Sequence, residues 1–171
     1  MNALKTPTPI INVPQSLTIV TDEEMLEKGM RSIGDIVRYT PGVNTSQGEG
    51  HRDAVVFRGV RSTADFFQDG ARDDVQYYRS LYNVEQVEIL RGPNALLFGR
   101  GGTGGALNRV TKKAVIGDSS LSINLGMDSF GAFDVAADIN MDMGDTMALR
   151  VNVHSDTLEN HRDYYDGDRL G

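Results

Sequence analysis

The last third of the chain alternates apolar and polar residues with a strict period of two. The apolar positions of the three alternating segments are Leu121, Ile123, Leu125 and Met127, then Phe133, Val135, Ala137, Ile139 and Met141, and finally Met147, Leu149, Val151 and Val153. Because successive side chains of a strand point to opposite faces, this spacing predicts three antiparallel strands with one apolar and one polar face each. Two interpretations are open: strands of a membrane β-barrel with the apolar face toward lipid, or an amphipathic sheet packed on a soluble core.

The pattern before residue 115 predicts a small α+β domain with short strands and many loops. Residues 16–20 alternate as in a short strand. The stretch from Thr21 to Glu24 has the form of a capping box, which opens a helix that Gly29 ends. Ser32 caps a second helix. Further short strands are predicted at 54–58, before Arg91 and at 106–111, with loops at 44–53, 72–82 and 163–168.

Composition and charge exclude several classes of function. A net charge of −7 argues against general nucleic-acid binding, which needs a basic surface. The chain has no cysteine, so disulfides and thiolate metal sites are excluded. No run approaches the roughly 18 apolar residues of a membrane-spanning helix. Residues 1–9 contain one lysine and no apolar stretch, so they form no signal peptide, and we expect that the chain lacks its natural beginning.

The motifs of enzymes and metal proteins are absent or incomplete. Residues 99–104 match G-x-G-x-x-G, but a dinucleotide site needs a helix next, and the following residues are strand-like. The three histidines are isolated, and no nucleophile elbow or Cys–His pair is present. The sequence therefore predicts no catalytic residues, no side-chain metal site and no cofactor. A nucleotide-dependent enzyme built on the glycine loop is kept as the less favoured alternative.

The stretch from Tyr82 to Lys113 carries the most specific pattern in the chain. It reads as strand, tight turn, short apolar helix, glycine loop and second strand, with the sequence VEILRGPNALLFGRGGTGGALNRVTKK at its centre. This order closely resembles the plug domain of TonB-dependent outer-membrane receptors, most of all those that import ferric siderophores. The resemblance implies a plug domain at 15–115 and the first three or so strands of a transmembrane β-barrel at 116–171. Residues 1–14, which are rich in proline and threonine, are predicted to form an extended tether. Three strands cannot close a barrel, so the fold class is an α+β plug followed by an incomplete barrel.

The same resemblance implies partners and a location. The ligand would be a ferric siderophore, with iron present only as its bound cargo. The segments 61–67 and 72–78 look most like receptors of the catecholate type. Further partners would be the TonB energy transducer of the inner membrane, although no TonB box is visible before Pro14, and the lipid of the outer membrane. The protein would lie in the outer membrane of a Gram-negative bacterium, with its plug facing the periplasm and the barrel lumen, where it gates the pore.

Candidate ligand residues lie in three polar loops, at 46–52, 61–67 and 72–79. Guanidinium groups can pair with an anionic chelate and stack on its rings, and tyrosines offer a flat apolar face. The predicted ligand-binding residues are Gly48, Arg52, Arg61, Ser62, Arg72, Tyr77, Tyr78 and Arg79. The segment from Gln76 to Arg79 is the preferred site. The alternative is that these loops are hydrated charged loops without a ligand.

A second set of residues is predicted to hold the plug in place. Arg58 and Arg91 each follow an apolar strand, and Glu88 lies near the second of them. In the family that the sequence resembles, arginines at such positions lock the plug to glutamates of the barrel wall. The alternative for the whole chain is a soluble ligand- or protein-binding module with a plug-like fold, whose amphipathic strands cover its own core.

Overall fold

A computed structural model describes residues 9–13, 15–46, 52–63, 65–92, 104–159, 164 and 166–171. The chain divides into two compact units, Met1–Thr111 and Lys112–Gly171. This division lies between Thr111 and Lys112, four residues before the domain boundary predicted from the sequence. The boundaries at 14/15 and 115/116 and the extended tether stay predictions, with a 3-10 turn at Ile10–Asn12 inside the tether.

The first unit contains two short helices and eight strands among its described residues. The helices are α1 (Asp22–Glu27) and α2 (Ile33–Arg38). The strands are β1 (Ser16–Thr21), β2 (Val43–Thr45), β3 (Val55–Phe57), β4 (Val60–Ser62), β5 (Phe66–Gln68), β6 (Ala71–Arg72), β7 (Val84–Arg91) and β8 (Gly105–Thr111). The predicted α+β arrangement is therefore present in this unit.

Side-chain caps explain where both helices begin. The Thr21 hydroxyl accepts from the Glu24 N–H at 3.3 Å. The second helix has the full reciprocal box, because the Ser32 hydroxyl accepts from the Asp35 N–H and the Asp35 carboxylate accepts from the Ser32 N–H. The first helix is followed by Gly29 at φ +61°, a conformation that favours glycine.

Two sheets form the frame of this unit. The larger sheet has the order β1-β7-β8-β5-β6, and it is mixed because β5 runs parallel to β8 while the other neighbours are antiparallel. The smaller sheet is β2-β3-β4, entirely antiparallel. Its first strand was missed, because residues 44 and 45 were predicted as loop.

The core lies where the helices meet one face of the larger sheet. Its apolar side chains come from both helices, from the residue Met30 between them and from six strands, and they are Val20, Met25, Met30, Ile33, Ile36, Val37, Val43, Val55, Phe57, Phe66, Val84, Val87, Ile89 and Leu107. Phe57 packs against the start of β8 so closely that a Cβ atom built on Gly105 would lie 2.5 Å from its ring and 2.5 Å from the Leu90 carbonyl oxygen. Glycine at this position is thus required by packing.

The second unit is an open antiparallel sheet. Its strands are β9 (Ser120–Met127), β10 (Phe133–Asp142), β11 (Ala148–Leu158) and β12 (Gly167–Leu170), in the order β12-β11-β10-β9. Three of them match the alternating segments. The fourth was not predicted, since residues 163–168 were assigned to a loop, and Gly167 instead pairs with Leu158.

The two faces of this sheet differ in chemistry and in exposure. The register places Ile123, Ala137 and Val153 side by side on one face. This apolar face is exposed, with Leu125 at 69% and Ile123 at 60% of full accessibility. The alternating strands therefore do not cover a core within their own sheet.

The polar face of the same sheet binds the segment that precedes β9, residues 112–118, which we call the connector. The Asn140 amide donates to the carbonyls of Val115 (3.0 Å) and Asp118 (2.8 Å) and accepts from the Val115 N–H (3.0 Å). Arg150 pairs with both oxygens of Asp138 at 2.8 and 2.7 Å. Lys112 adds a further ion pair to Asp138 at 2.9 Å, and Arg150 also donates to the Lys113 carbonyl.

Neither helix in the described part of the chain has the length or apolar character needed to cross a bilayer.

Candidate functional site: the tyrosine loop

The preferred candidate segment lies in residues 73–83, which join β6 to β7 and which we call the tyrosine loop. This loop contains no helix or strand. Since it lacks a backbone ladder, side chains have to determine its shape. Asp73 begins it with a backbone bond from its N–H to the Phe66 carbonyl at 2.9 Å, next to the large sheet.

The loop is wrapped around the guanidinium group of Arg79. Its Nη2 donates to the carbonyls of Asp73 (2.9 Å) and Val75 (2.7 Å), and its Nη1 donates to the carbonyl of Tyr77 (3.2 Å). Its Nε donates to the Asp73 carboxylate at 3.0 Å. The Arg79 side chain is fully buried, and its guanidinium lies 3.9 Å from the centre of the Phe66 ring and 4.5 Å from that of Tyr77. Four of the five N–H groups of the guanidinium are therefore used to hold the loop.

A second arginine, Arg109 of β8, binds the same carboxylate. Its Nη2 lies 2.6 Å from Asp73 Oδ2, 3.0 Å from the Tyr77 hydroxyl and 3.1 Å from Gln68 Oε1. The Tyr77 hydroxyl donates to Asp73 Oδ2 at 2.7 Å. Asp73 is thus the common partner of two buried arginines and one tyrosine, and this charge-assisted network replaces the missing backbone ladder.

Asp53 attaches the other side of the loop to the segment before β3. Its carboxylate accepts from the Arg79 N–H at 2.7 Å, and its own N–H donates to the Tyr77 carbonyl at 3.2 Å. Its oxygen lies 3.9 Å from Arg79 Nη1. The two arginines are therefore balanced by two carboxylates, which lowers the cost of burying the charges.

Part of the loop remains on the surface. Tyr77 is 37% exposed and Tyr78 is 41% exposed. Arg52, half-buried, donates through Nη1 to the Gln76 side chain. The predicted residues Arg52, Tyr77 and Tyr78 therefore belong to one surface region, and their contact with a ligand stays a prediction.

The other predicted ligand residues lie elsewhere in the first unit. Arg72 ends β6, with its guanidinium 5.0 Å from the centre of the Phe67 ring. Arg61 and Ser62 lie on β4 in the smaller sheet, where Arg61 is exposed and Ser62 is half-buried. Gly48 lies outside the described residues. These assignments also stay predictions.

Arg79 requires a correction, because it was predicted to contact ligand. Its side chain is inaccessible and its donors bind the loop itself, so the residue shapes the site from within. The prediction was wrong about the direction of this side chain, and a ligand site in the segment from Gln76 to Arg79 stays a prediction.

The three residues predicted to lock the plug, Arg58, Glu88 and Arg91, differ in their exposure and in their hydrogen-bond partners. Arg58 is exposed in the turn between β3 and β4, at φ +47°. Arg91 donates to the Pro41 carbonyl at 2.7 Å and to the Thr18 hydroxyl at 2.8 Å, so it ties parts of the first unit together. Glu88 is completely buried and accepts from the side chains of Gln86 and Asn108. A lock to a surrounding wall stays a prediction for all three residues.

Asp73 and Arg109 were not singled out from the sequence. A signal for Arg109 existed, because it shares the period of the apolar Leu107 on a short strand, where a charged residue on the core face is unexpected. No comparable signal marks Asp73, which stands in a run of charged residues.

Two sequence motifs can be compared with the structure, a dinucleotide loop and a cluster of metal ligands. The strand β8 occupies the position directly after the glycine loop, where a dinucleotide site would need a helix. Residues 99–103 of the glycine loop fall outside the described residues. Within the described ranges, no group of three His, Cys, Asp or Glu residues could hold a metal ion.

Comparison with known proteins matches this chain to one family of receptors, both by a family model and by individual relatives. The family model of the TonB-dependent Receptor Plug Domain matches residues 9–106. The chain is 30% identical over 148 residues to the probable TonB-dependent receptor BfrD of Bordetella pertussis, covering 85% of this chain and 20% of that protein. It is 28% identical over 173 residues to the catecholate siderophore receptor Fiu of Escherichia coli K12, covering 95% and 22% of the two chains.

Solved structures agree with these matches. The open form of the ferric-catecholate import receptor Fiu from E. coli K12 has a TM-score of 0.89 at 26% identity, covering 99% of this chain and 25% of that chain. The siderophore receptor PiuA from Acinetobacter baumannii has a TM-score of 0.87 at 26% identity, covering 95% and 24%. The chain thus spans 20% to 25% of the length of these relatives.

Proposed function

We propose that this chain, which belongs to the TonB-dependent receptor plug domain family, forms the plug and first wall strands of an outer-membrane receptor that imports ferric siderophores. The first unit has the mixed sheet and short helices of a plug, and we assign the open antiparallel sheet of the second unit to the first strands of a β-barrel wall. The relatives are named as receptors and transporters. Transport rather than catalysis is accordingly the activity we assign to the whole protein.

The observation that carries this proposal is the exposed apolar face of the open sheet. In water, each fully exposed leucine or isoleucine forgoes about 1.5–3 kcal/mol of burial free energy. Leu121, Ile123 and Leu125 are each at least 60% exposed and lie along one strand. The polar face opposite is occupied by ion pairs and by the connector. Apolar outside and polar inside is the arrangement of a barrel wall in lipid.

The alternative of a soluble module with a self-packed sheet is contradicted by the same observation. That alternative requires the alternating apolar residues to be buried, and Leu121, Phe133 and Leu149 are 65%, 48% and 45% exposed. A Gram-negative outer membrane supplies the lipid that this face needs. The TonB energy transducer is the proposed partner on the periplasmic side, with no residue of this chain assigned to it.

The tyrosine loop is the proposed ligand-facing surface of the plug. Tyr77 and Tyr78 expose aromatic surface beside Arg52, which suits an anionic chelate with aromatic rings. We assign a ferric catecholate as the ligand class on this ground, and relatives named as catecholate receptors support it.

The test is a titration of the 171-residue chain in detergent micelles with the ferric complex of 2,3-dihydroxybenzoate. The chain contains six tyrosines and no tryptophan, so quenching of tyrosine fluorescence reports binding. Tyr78→Ala should weaken binding about three- to tenfold, as expected for loss of one aromatic contact. Tyr39→Ala is the matched control, because Tyr39 is also exposed but lies at the end of α2.

Two results would count against the proposal. One is the absence of saturable quenching with the wild-type chain. The other is an equal effect of the two alanine variants, which would show that the tyrosine loop has no special part in binding. Ferric acetohydroxamate, which has no aromatic ring, serves as the comparison ligand and should bind more weakly.

A further inference from the structure

We propose that Asp73 and Arg109 are positioning residues, which hold the ring of Tyr77 in a fixed orientation as a platform for a flat aromatic group of the ligand. This inference rests on the proposed function of the tyrosine loop. It adds a role for two residues that the sequence did not single out, and it assigns the ring of Tyr77, rather than its hydroxyl, to the ligand.

The hydrogen bonds of the Tyr77 hydroxyl are the first observation. The hydroxyl has one proton, and this proton is donated to Asp73 Oδ2 at 2.7 Å. The oxygen also accepts from Arg109 Nη2 at 3.0 Å. Both partners are charged, so these bonds are stronger than neutral ones. The hydroxyl is thus committed to the protein, and the ring is the part left for a ligand.

The stacking of the ring is the second observation. The guanidinium carbon of Arg79 lies 3.9 Å from the centre of the Phe66 ring, which is completely buried, and 4.5 Å from the centre of the Tyr77 ring. The Tyr77 ring therefore lies against a cation that itself lies against a core ring. Tyr77 is therefore held at its hydroxyl and on its ring, while 37% of the residue remains exposed.

The environment of Arg109 is the third observation. Arg109 is 4% exposed, and its Nε has no hydrogen-bond partner in the described part of the chain. Burying an unsatisfied N–H costs free energy. The buried, unsatisfied N–H therefore reduces what Arg109 contributes to the stability of the fold. Its Nη2, in contrast, lies within hydrogen-bond distance of Asp73, Tyr77 and Gln68. A positioning role explains why a charged group stands on the core face of β8.

Holding a side chain in its binding orientation raises affinity because the ordering entropy is lost before the ligand arrives. Immobilising one side chain on binding lowers affinity by about two- to tenfold. Loss of the network should therefore weaken binding by about this factor, and only as long as Tyr77 is present to be positioned.

A double-mutant cycle tests this dependence, with the chain in micelles and the ferric complex of 2,3-dihydroxybenzoate as the probe. Arg109→Met removes the bonds to Tyr77 and leaves the Arg79–Asp73 pair intact. We expect it to weaken binding about two- to tenfold in the wild-type background and to have no further effect in the Tyr77→Ala background. Asp73→Asn, the second variant, should show the same dependence on Tyr77.

The control for a general loss of stability is Asp35→Asn, which removes part of the α2 capping box far along the chain from the loop. It should lower the unfolding midpoint without changing affinity. Carbon-13 relaxation of labelled tyrosine rings gives a second readout, in which the Tyr77 ring should become more mobile in Arg109→Met and stay unchanged in Asp35→Asn.

The outcomes separate the two proposals. The positioning role is overturned if Arg109→Met and Tyr77→Ala have additive effects on the binding free energy. It is also overturned if the Tyr77 ring is as rigid in Arg109→Met as in the wild type. In both cases the proposed receptor function stands. A wild-type chain that binds no ferric catecholate overturns both.

Discussion

Replacement of Gly105 by alanine should destabilise the first unit more than any ordinary glycine substitution. The added Cβ would lie 2.5 Å from the Leu90 carbonyl oxygen and 2.5 and 2.8 Å from two ring carbons of Phe57, whereas ordinary contacts start at 3.4 Å. Both neighbours are completely buried, and Leu90 is paired in β7 between β1 and β8. Relief therefore requires movement of a core ring and of a central strand. Overpacking typically costs 1–3 kcal/mol, and we expect about 3 kcal/mol of lost unfolding free energy here.

The matched control is Gly34→Ala in α2. A Cβ atom there would meet nothing closer than 3.4 Å, and alanine favours helix over glycine. This variant should gain about 0.5 kcal/mol, so the two Gly→Ala changes have opposite signs.

Urea unfolding of the chain in micelles, followed by tyrosine fluorescence, measures both variants. With a slope of about 2 kcal/mol per molar urea, the midpoint should fall by about 1.5 M for Gly105→Ala and rise by about 0.25 M for Gly34→Ala. A Gly105→Ala midpoint within about 0.3 M of the wild type would refute the reasoning, since the core would then have room that the packing does not show.

Three further outcomes follow from the contacts described. Asn140→Ala should increase amide hydrogen exchange in the connector, because it removes three hydrogen bonds to that backbone. Asn124→Ala, on the exposed β9, is the control. Equal exchange rates in the two variants would contradict the conclusion that Asn140 holds the connector. Leu125→Lys should weaken binding of the chain to lipid vesicles by about 2–4 kcal/mol if the residue lies at mid-bilayer depth, while Asn124→Lys on the other face should have little effect. The Glu24 carboxylate raises the pKa of Lys28 through a hydrogen bond, so Glu24→Gln should lower that pKa in an NMR titration. Because the pKa is raised in the folded state, the stability from this pair is present below the pKa of unfolded lysine and is lost as pH rises past the folded pKa.

The alternating strands and the helix caps could be predicted because both are local properties of the sequence. The period of two at residues 121–127 requires no knowledge of the rest of the fold. The Ser32 and Thr21 caps likewise depend only on residues three positions away. The family resemblance, confirmed by the match over residues 9–106, came from the same kind of short-range order.

The features that were not predicted correctly depend on contacts between residues that are distant in the sequence. Arg79 was placed on the surface because its neighbours in sequence are polar, yet its position is set by Phe66 and by the backbone of the loop. The three-residue strand β2 has no pattern of its own and exists through its pairing with β3. The role of Arg109 requires the partner Asp73, which lies 36 residues earlier in the chain.

The tyrosine loop turns three of its carbonyls toward the buried guanidinium group of Arg79, so the groups that set its shape are separate from those on its outer surface. Its backbone is held at the carbonyls of Asp73, Val75 and Tyr77, while the side chains of Asp74 and Val75 are exposed. A mutation at one of these two positions changes the outer surface of the loop and leaves the three hydrogen bonds between Arg79 and the backbone carbonyls in place. Evolution can therefore change the outer chemistry of this short segment at these positions while the folding of the domain is left intact.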